Sequence, residues 1–401
     1  MAFALLLHAL PANPLWADCA SPATVREAIE CALSVDDAVQ EASAELKLAE
    51  AAHEQAGRLE NPELTTEGPL FSSSGQGGPK LLAFIFQQPI DIWGRRSSRR
   101  QEAEQRIEAA RLRLNQAKAV ASAQLVRGLV RLRQISEEQR FAAQALELAD
   151  LADERFKRLA FLNPEQDAAR RIFEWSREAM SQAGAQLDQE SEEIRLSFPL
   201  AGGKVGDFAA KAPHRRQWPE WPAGTGDSPS ILALKSDVQA EGAALKAAQA
   251  AGKPGLSLGP SAEIDFSDSA RNSYGLSLSM QLPLWNQNQG ERLAATARQE
   301  LAQKELEREM GRQGLLAAQL KGRYDRLRLL HEGGQEIAHS ERHLKSLRDA
   351  YLAGRIAASL ALEGFRQQKD ALEAVHQTEL KLYETLWEGY RLAGVQADLE
   401  L

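Results

Sequence analysis

His339 and His343 stand one helical turn apart, the spacing that puts two imidazoles on one helix face within reach of a metal ion. The residues around them, Ile337, Leu344 and Leu347, belong to a polar segment with no cysteine nearby, so a solvated pair accounts for them better than a metal centre. The remaining histidines, His8, His53, His214, His331 and His376, belong to no set of Cys, His and carboxylates with ligand spacing. No Ser-His-Asp or Gly-x-Gly arrangement sits on an α/β pattern. The expectation is a protein without catalytic residues, cofactor or resident metal. Cys19 and Cys31 leave two readings open. Lipid attachment at Cys19 wants small residues before it, against Trp16 and Asp18, and a Cys19–Cys31 disulfide is the alternative in an oxidising compartment.

The elements that must carry any function are unusual. From Leu256 to Phe266, Leu256, Leu258, Pro260, Ala262, Ile264 and Phe266 share one face, and Ser257, Gly259, Ser261, Glu263 and Asp265 the other. After a polar turn the alternation resumes, with Tyr274, Leu276, Leu278, Met280, Leu282 and Leu284 against Gly275, Ser277, Ser279, Gln281 and Pro283. Period-two alternation over about eleven residues suits a strand of an outer-membrane barrel. The same object occurs about 192 to 195 residues upstream. Asn61-Pro62-Glu63-Leu64 matches Lys253-Pro254-Gly255-Leu256, Gln88-Pro89-Ile90 matches Leu282-Pro283-Leu284, and Ala56-Gly57-Arg58 resembles Ala251-Gly252-Lys253. Each half reads helix, strand, turn, strand, long helix, helix. The expected strands are 63–70, 81–90, 256–266 and 274–284. Trp93 and Trp285 fall where strands end, as aromatics of a membrane interface do, although packing at a junction would place them equally well.

Long helices fill the rest. Ala103, Ile107, Ala110, Leu114, Ala117, Ala121, Leu125, Gly128, Leu132 and Ile135 recur at steps of three and four, as do Leu306, Met310, Gln313, Ala317, Leu320, Tyr324 and Leu327. At about 1.5 Å per residue, the segment from Gly94 to Gln134 would be about 60 Å long, which suits a helical tube. The seams stop near 133–138 and 330–335, where Gly333 and Gly334 can turn, and the helix hairpins are expected to reverse there. Glu137, Glu138, Glu332 and Glu336 would then line a narrow end and, repeated by symmetry, favour cations. Phe161-Leu162-Asn163-Pro164 and Gly354-Arg355-Ile356 break the returning helices.

Composition excludes several classes. Of 401 residues 26% are charged and 6% aromatic, and the mean hydropathy is -0.40. No stretch approaches the about 18 apolar residues of a spanning helix, which half-apolar barrel strands do not need. A net charge of -8 and a pI near 5.6 argue against a nucleic-acid surface. The basic run Arg95-Arg96-Ser97-Ser98-Arg99-Arg100 follows a strand end and reads as a solvated or headgroup-facing helix start. Residues 1–17 read as a signal peptide, with an apolar run from Ala2 to Leu10 but no Lys or Arg before it. The halves are then 18–200 and 230–401, joined by an irregular Gly/Pro-rich linker, 201–229. Four strands cannot close, since the smallest outer-membrane barrels need about eight, so copies must share one barrel.

Pro283-Leu284-Trp285-Asn286-Gln287-Asn288-Gln289-Gly290 resembles the strand-to-helix signature of TolC-like outer-membrane efflux proteins, and is most similar to the CzcC-type branch serving cation and heavy-metal pumps. Gln88-Pro89-Ile90-Asp91-Ile92-Trp93-Gly94-Arg95-Arg96 fits the same branch, as does Tyr351-Leu352-Ala353-Gly354-Arg355-Ile356. Leu159 departs from it, standing where the first-half equivalent of Gly354 is usually Gly. The resemblance spans roughly 23–395. It implies a mainly helical homotrimer with a twelve-strand β-barrel in the outer membrane and a coiled-coil tunnel through the periplasm. It further implies docking to a periplasmic adaptor and an inner-membrane RND-type pump, with export of metal cations or small toxic compounds. The channel of a type I secretion system is the alternative within this class, and a periplasmic coiled-coil adaptor or scaffold the alternative outside it. An adaptor would not need the duplicated strand pair.

Overall fold

A computed structural model describes residues 24–68, 81–158, 164–198, 205–210, 218–222, 227–265, 272–338 and 341–394. Expectations about the signal peptide, Cys19, Leu159 and His339 lie outside them. In chain order the elements are α1 (Val25–Val35), α2 (Asp37–Ala56), β1 (Glu63–Glu67), β2 (Leu81–Ile90), α3 (Arg95–Lys157), α4 (Pro164–Ser197), α5 (Val205–Ala210), α6 (Pro229–Ala251), β3 (Gly255–Asp265), β4 (Ser273–Gln281), α7 (Gln289–Ala338), α8 (Glu341–Leu352) and α9 (Ala358–Ala393). The expected mainly helical, duplicated architecture with four antiparallel strands is present. Local chemistry marks the boundaries. Thr24 caps α1 by accepting from the Glu27 N–H, and Asp36 caps α2 by accepting from Val39. Pro164 and Pro229 open α4 and α6, where a missing N–H costs nothing.

The chain divides into two units. One comprises Glu41–Asn115 and Pro229–Gln313 and carries the sheet, in the order β1-β2-β3-β4 with every neighbour antiparallel. Register keeps the even-numbered residues on one face. Leu64 pairs with Phe86, Ile90 with Leu256, Leu256 with Met280, Leu258 with Leu278 and Ala262 with Tyr274. That face is apolar yet open: Leu276 and Tyr274 are each 79% exposed. Gly259 permits the close approach of β2 and β3, because a Cβ there would overlap the carbonyl of Phe86. β4 stops at Gln281, three residues before the expected end, because Pro283 lacks the N–H that a ladder needs. Below the sheet, small residues bring helices together: Ala103, Ala109 and Ala110 of α3 and Ala240, Ala243 and Ala247 of α6 are buried. Arg106–Glu241 and Arg113–Asp237 ion pairs set α3 and α6 antiparallel.

The other unit, Met1–Gln40, Gln116–Ser228 and Gly314–Leu401, holds two apolar clusters. The first joins Val25 and Ile29 of α1, Val126, Leu129 and Val130 of α3, Tyr324 of α7 and Leu382, Tyr383 and Leu386 of α9. Part of the expected linker packs into it: Val205 and Phe208 of α5 and Trp218 are buried, Trp218 Nε1 donates to His331 Nδ1 at 3.1 Å, and Tyr324 donates its hydroxyl to the Pro219 carbonyl at 2.6 Å. The linker is thus partly built into the fold, because aromatic area buried there outweighs the irregular backbone of a Pro-rich stretch. The second cluster joins Phe141, Leu148, Ala152 and Phe156 of α3 to Phe173, Leu344, Tyr351, Phe365 and Leu372.

The expected reversals at 133–138 and 330–335 are absent, since α3 runs unbroken to Lys157 and α7 to Ala338. The seam does not stop at Ile135. It continues through Glu138 to Phe141, Ala145, Leu148, Ala152 and Phe156, and a charged residue at a core position only imitates a break. Gly334 is a packing residue, because a Cβ there would lie 2.9 Å from Val375 Cγ2. Beyond those positions α3 ends at Lys157 and α4 begins at Pro164, while α8 ends at Leu352 and α9 begins at Ala358. At the end of α8, Gly354 has φ 71°, its N–H donates to Tyr351 O, and Arg355 N–H donates to Ala350 O, the pattern of a Schellman stop. Ion pairs Arg131–Glu190 and Arg170–Asp153 set α3 and α4 antiparallel.

Candidate functional site

The strand-to-helix junctions are built by the residues of the Pro-to-Gly signatures. Pro89 lies in β2 opposite Ser257, and Gly94, at φ 72°, turns the chain into α3. Asp91 then accepts from the N–H groups of Arg95 at 2.8 Å and Arg96 at 2.6 Å. Slight burial opposes its charge, but the N–H groups of Arg96, Arg95, Trp93 and Gly94 hold the Asp91 carboxyl below its ordinary value. In the second junction Pro283 follows the last strand. Asn286 Oδ1 accepts from Asn288 N–H at 3.0 Å, Gln289 Oε1 accepts from Gln287 N–H at 3.1 Å, and Asn288 takes φ 61° while donating its amide to the Ala248 carbonyl at 3.0 Å. Gly290 is the second residue of α7, with open space where a Cβ would be. Both strand ends carry the same tight turn, Ile92 N–H to Ile90 O and Leu284 N–H to Leu282 O.

The two tryptophans share a level but not an environment. Trp93 continues the β2–β3 register, so it meets Lys253: its Nε1 donates to Pro254 O at 2.8 Å, and the Lys253 ammonium sits 4.7 Å from its ring centroid. Trp285 follows an edge strand and is 90% exposed. Arg95 and Arg99 pair with Glu60, Arg100 pairs with Glu104, and Arg96 donates to the Gly57 carbonyl. The basic run therefore starts a helix with its four guanidiniums set against two carboxylates, Glu60 and Glu104.

Two of the candidate acidic residues, Glu137 and Glu138, are brought together at His376. Glu332 is exposed on α7 with Arg328 at 4.0 Å, and Gly333 is exposed beside it. Glu336 lies in α7, and its side chain and that of His343 are outside the described ones. Glu137 and Glu138 are not at a tip; they face α9 inside the helical unit. Glu138 is buried, with Arg131 at 2.8 Å and His376 Nδ1 at 2.7 Å, and Glu137 takes His376 Nε2 at 3.1 Å. Arg133, also buried, donates to both carboxylate oxygens of Glu379, and Gln134 donates to Glu379 at 2.7 Å and to the His376 carbonyl at 3.1 Å. Arg131 grips Glu190 of α4 with both Nε and Nη2 at 2.7 Å. Burial alone would raise the Glu138 carboxyl, but hydrogen bonds from His376 and Arg131 hold it below its ordinary value. Burial likewise opposes the charged His376 and is overcome by hydrogen bonds to Glu137 and Glu138, which raise it. Reading the sequence missed His376, Glu379 and Arg133. The available signal was their position: His376 and Glu379 interrupt the α9 seam of Leu372, Val375 and Leu382, where a polar residue needs a buried partner. Beside this network a cavity of about 550 Å³ is lined by Arg131, Glu138, Phe141, Met180, Leu187 and Leu372, among others.

Among the described residues no helix is long and apolar enough to cross a membrane, and none of their His, Cys, Asp and Glu side chains form a group of three or more placed for a metal. No protein-family model matches the sequence, and no curated protein is similar to it at a significant level. Solved structures do match in fold. A membrane protein from Pseudomonas aeruginosa superposes with a TM-score of 0.72 at 17% identity, covering 95% of this chain and 92% of that one. The outer membrane protein VceC from Vibrio cholerae gives 0.70 at 18%, covering 92% and 96%. The open MtrE outer membrane channel from Neisseria gonorrhoeae gives 0.67 at 17%, covering 92% and 88%. The four-strand sheet on its long helices is thus, over nearly its whole length, the fold of the TolC-like outer-membrane channels.

Proposed function

We propose that the protein is the outer-membrane channel of a tripartite efflux system, a passive conduit rather than an enzyme, working as a homotrimer. The observation that carries this reading is the sheet. It has an apolar face open to its surroundings, and β1 and β4 are edges with no partner strand among the described residues. In lipid an unpaired backbone group costs several kcal/mol, so copies must pair β4 of one with β1 of the next. Three copies supply twelve strands, enough for a barrel with an open interior, whereas two would fill theirs with side chains. The long helices then extend into the periplasm, towards an adaptor and an RND-type pump. The Pro283–Gly290 signature supports the finer assignment to metal cation or small toxic-compound export. Export assays on a deletion strain, comparing divalent metals, dyes and peptides, test it. Restored metal or dye efflux is expected, and peptide secretion alone would replace efflux by type I secretion.

Two residue-level proposals accompany it. Glu332, exposed on α7, contributes negative charge to the conduit wall. E332Q should lower cation selectivity in planar bilayers, and unchanged selectivity removes it from the wall. Cys31 is disulfide-bonded, and the chain has two cysteines, which favours a Cys19–Cys31 bridge over acylation of Cys19. Intact mass of the mature protein separates the two, a diacyl or triacyl increment excluding the bridge.

A further inference from the structure

His376 is 2% exposed and aims both ring nitrogens at carboxylates, Nδ1 at Glu138 and Nε2 at Glu137. A neutral imidazole has one N–H, so one of its nitrogens would present a lone pair to a carboxylate oxygen at hydrogen-bond distance. Only a bound proton satisfies both contacts. The surrounding charges ask for it as well. The guanidiniums of Arg131 and Arg133 on α3 face the carboxylates of Glu137 and Glu138 on α3, Glu190 on α4 and Glu379 on α9. Along α9, Lys369 and Glu373, which line the neighbouring cavity, neutralise one another at 2.6 Å. Four carboxylates thus meet two guanidiniums in these pairs, a balance that favours a proton on the imidazole between Glu137 and Glu138.

We propose that His376, Glu137 and Glu138 form a proton-binding site that clasps α9 to α3, and that alkaline conditions unfasten it. With the proton bound, two charge-assisted hydrogen bonds cross between the helices. Without it, the neutral ring donates to only one of the two carboxylates, and the other contact sets a ring lone pair against a carboxylate oxygen. The sign follows from the direction in which the imidazole is shifted. Its value lies above the ordinary 6.5, so the stabilisation is complete below that value and is lost as pH rises through the raised one. Glu138, held below its ordinary 4.5, stays charged throughout that window. Resting on the channel reading above, which puts the helical unit in the periplasm, the clasp would respond to alkalinity there whatever the channel carries.

Histidine C2 hydrogen–deuterium exchange, read by mass spectrometry on the full chain in detergent between pH 5 and 10, gives the midpoint of His376 directly. It should lie above 6.5, and E137Q, at the more open carboxylate, should lower it. The thermal midpoint of the wild type should fall as pH passes the His376 midpoint, and H376Q should show no such fall in that window. A wild-type His376 midpoint at or below 6.5, or one unmoved by E137Q, overturns the proposal even if the variants fold poorly.

Discussion

Asp91 shows how much a single carboxylate does at a junction. It satisfies two of the first N–H groups of α3, which have no carbonyl partner within the helix, and it does so next to a glycine that supplies the turn. D91A should destabilise the protein by about 1 kcal/mol, the usual worth of such a cap. D91N should recover part of it, as judged by denaturant titration of the helical signal. Because the carboxyl is held below its ordinary 3.8, this contribution is present above that value and disappears as pH falls through the lowered one. Asp91 was visible in the sequence as part of a motif, whereas its role was not, since the motif does not say which N–H groups its oxygens reach. Glu138 is the opposite case. It was conspicuous as a charge and was placed at a tip, although its solvation by Arg131 of its own helix and by His376 requires the distant α9 to be in position.

At the scale of the element, two glycines of the second half have opposite parts. Gly354 holds a left-handed conformation that stops α8, while Gly333 lies within α7 with open space around it. G354A should therefore cost about 1 kcal/mol through the positive φ. G333A should instead stabilise by up to about 1 kcal/mol by stiffening the helix. Paired denaturation curves check both, and a G333A variant less stable than wild type would argue that this glycine turns the chain after all. The reversals were misplaced because heptad reading treats a polar core residue and a turn alike. Both interrupt an apolar stripe, and only the partner across the helix pair distinguishes them.

For the whole molecule, the decisive quantity is the number of strands that one chain can offer. Native mass measurement of the detergent-solubilised protein should give a species near three times 44.0 kDa, less any cleaved leader. A stable monomer or dimer inserted in lipid would sink the shared barrel. Pairing of β4 with the next copy's β1 also predicts that proline placed in β4, as in S277P, blocks assembly more than it unfolds the helices. Helical content by circular dichroism, measured beside the trimer fraction, separates the two effects. The exposed even-numbered face, from Leu64 across to Leu276, should meanwhile keep the unassembled chain dependent on detergent.

The sequence by itself determined the strands, the duplication and the junctions, because these rest on short-range rules. Period-two alternation fixes which residues of a strand share a face, proline ends a ladder, and Asn, Gly and Asp set the turn into a helix. From those rules came the two pairs of strands and the long helices, and the resemblance of the junction residues named the fold. Tertiary structure decided what long-range partners decide. It joined the two repeats through β2 and β3, carried α3 past Glu138, drew residues 218–222 into the apolar cluster and set His376 between two carboxylates. A charge on a core stripe is read as a defect until its counter-charge, more than two hundred residues away in the chain, is seen beside it.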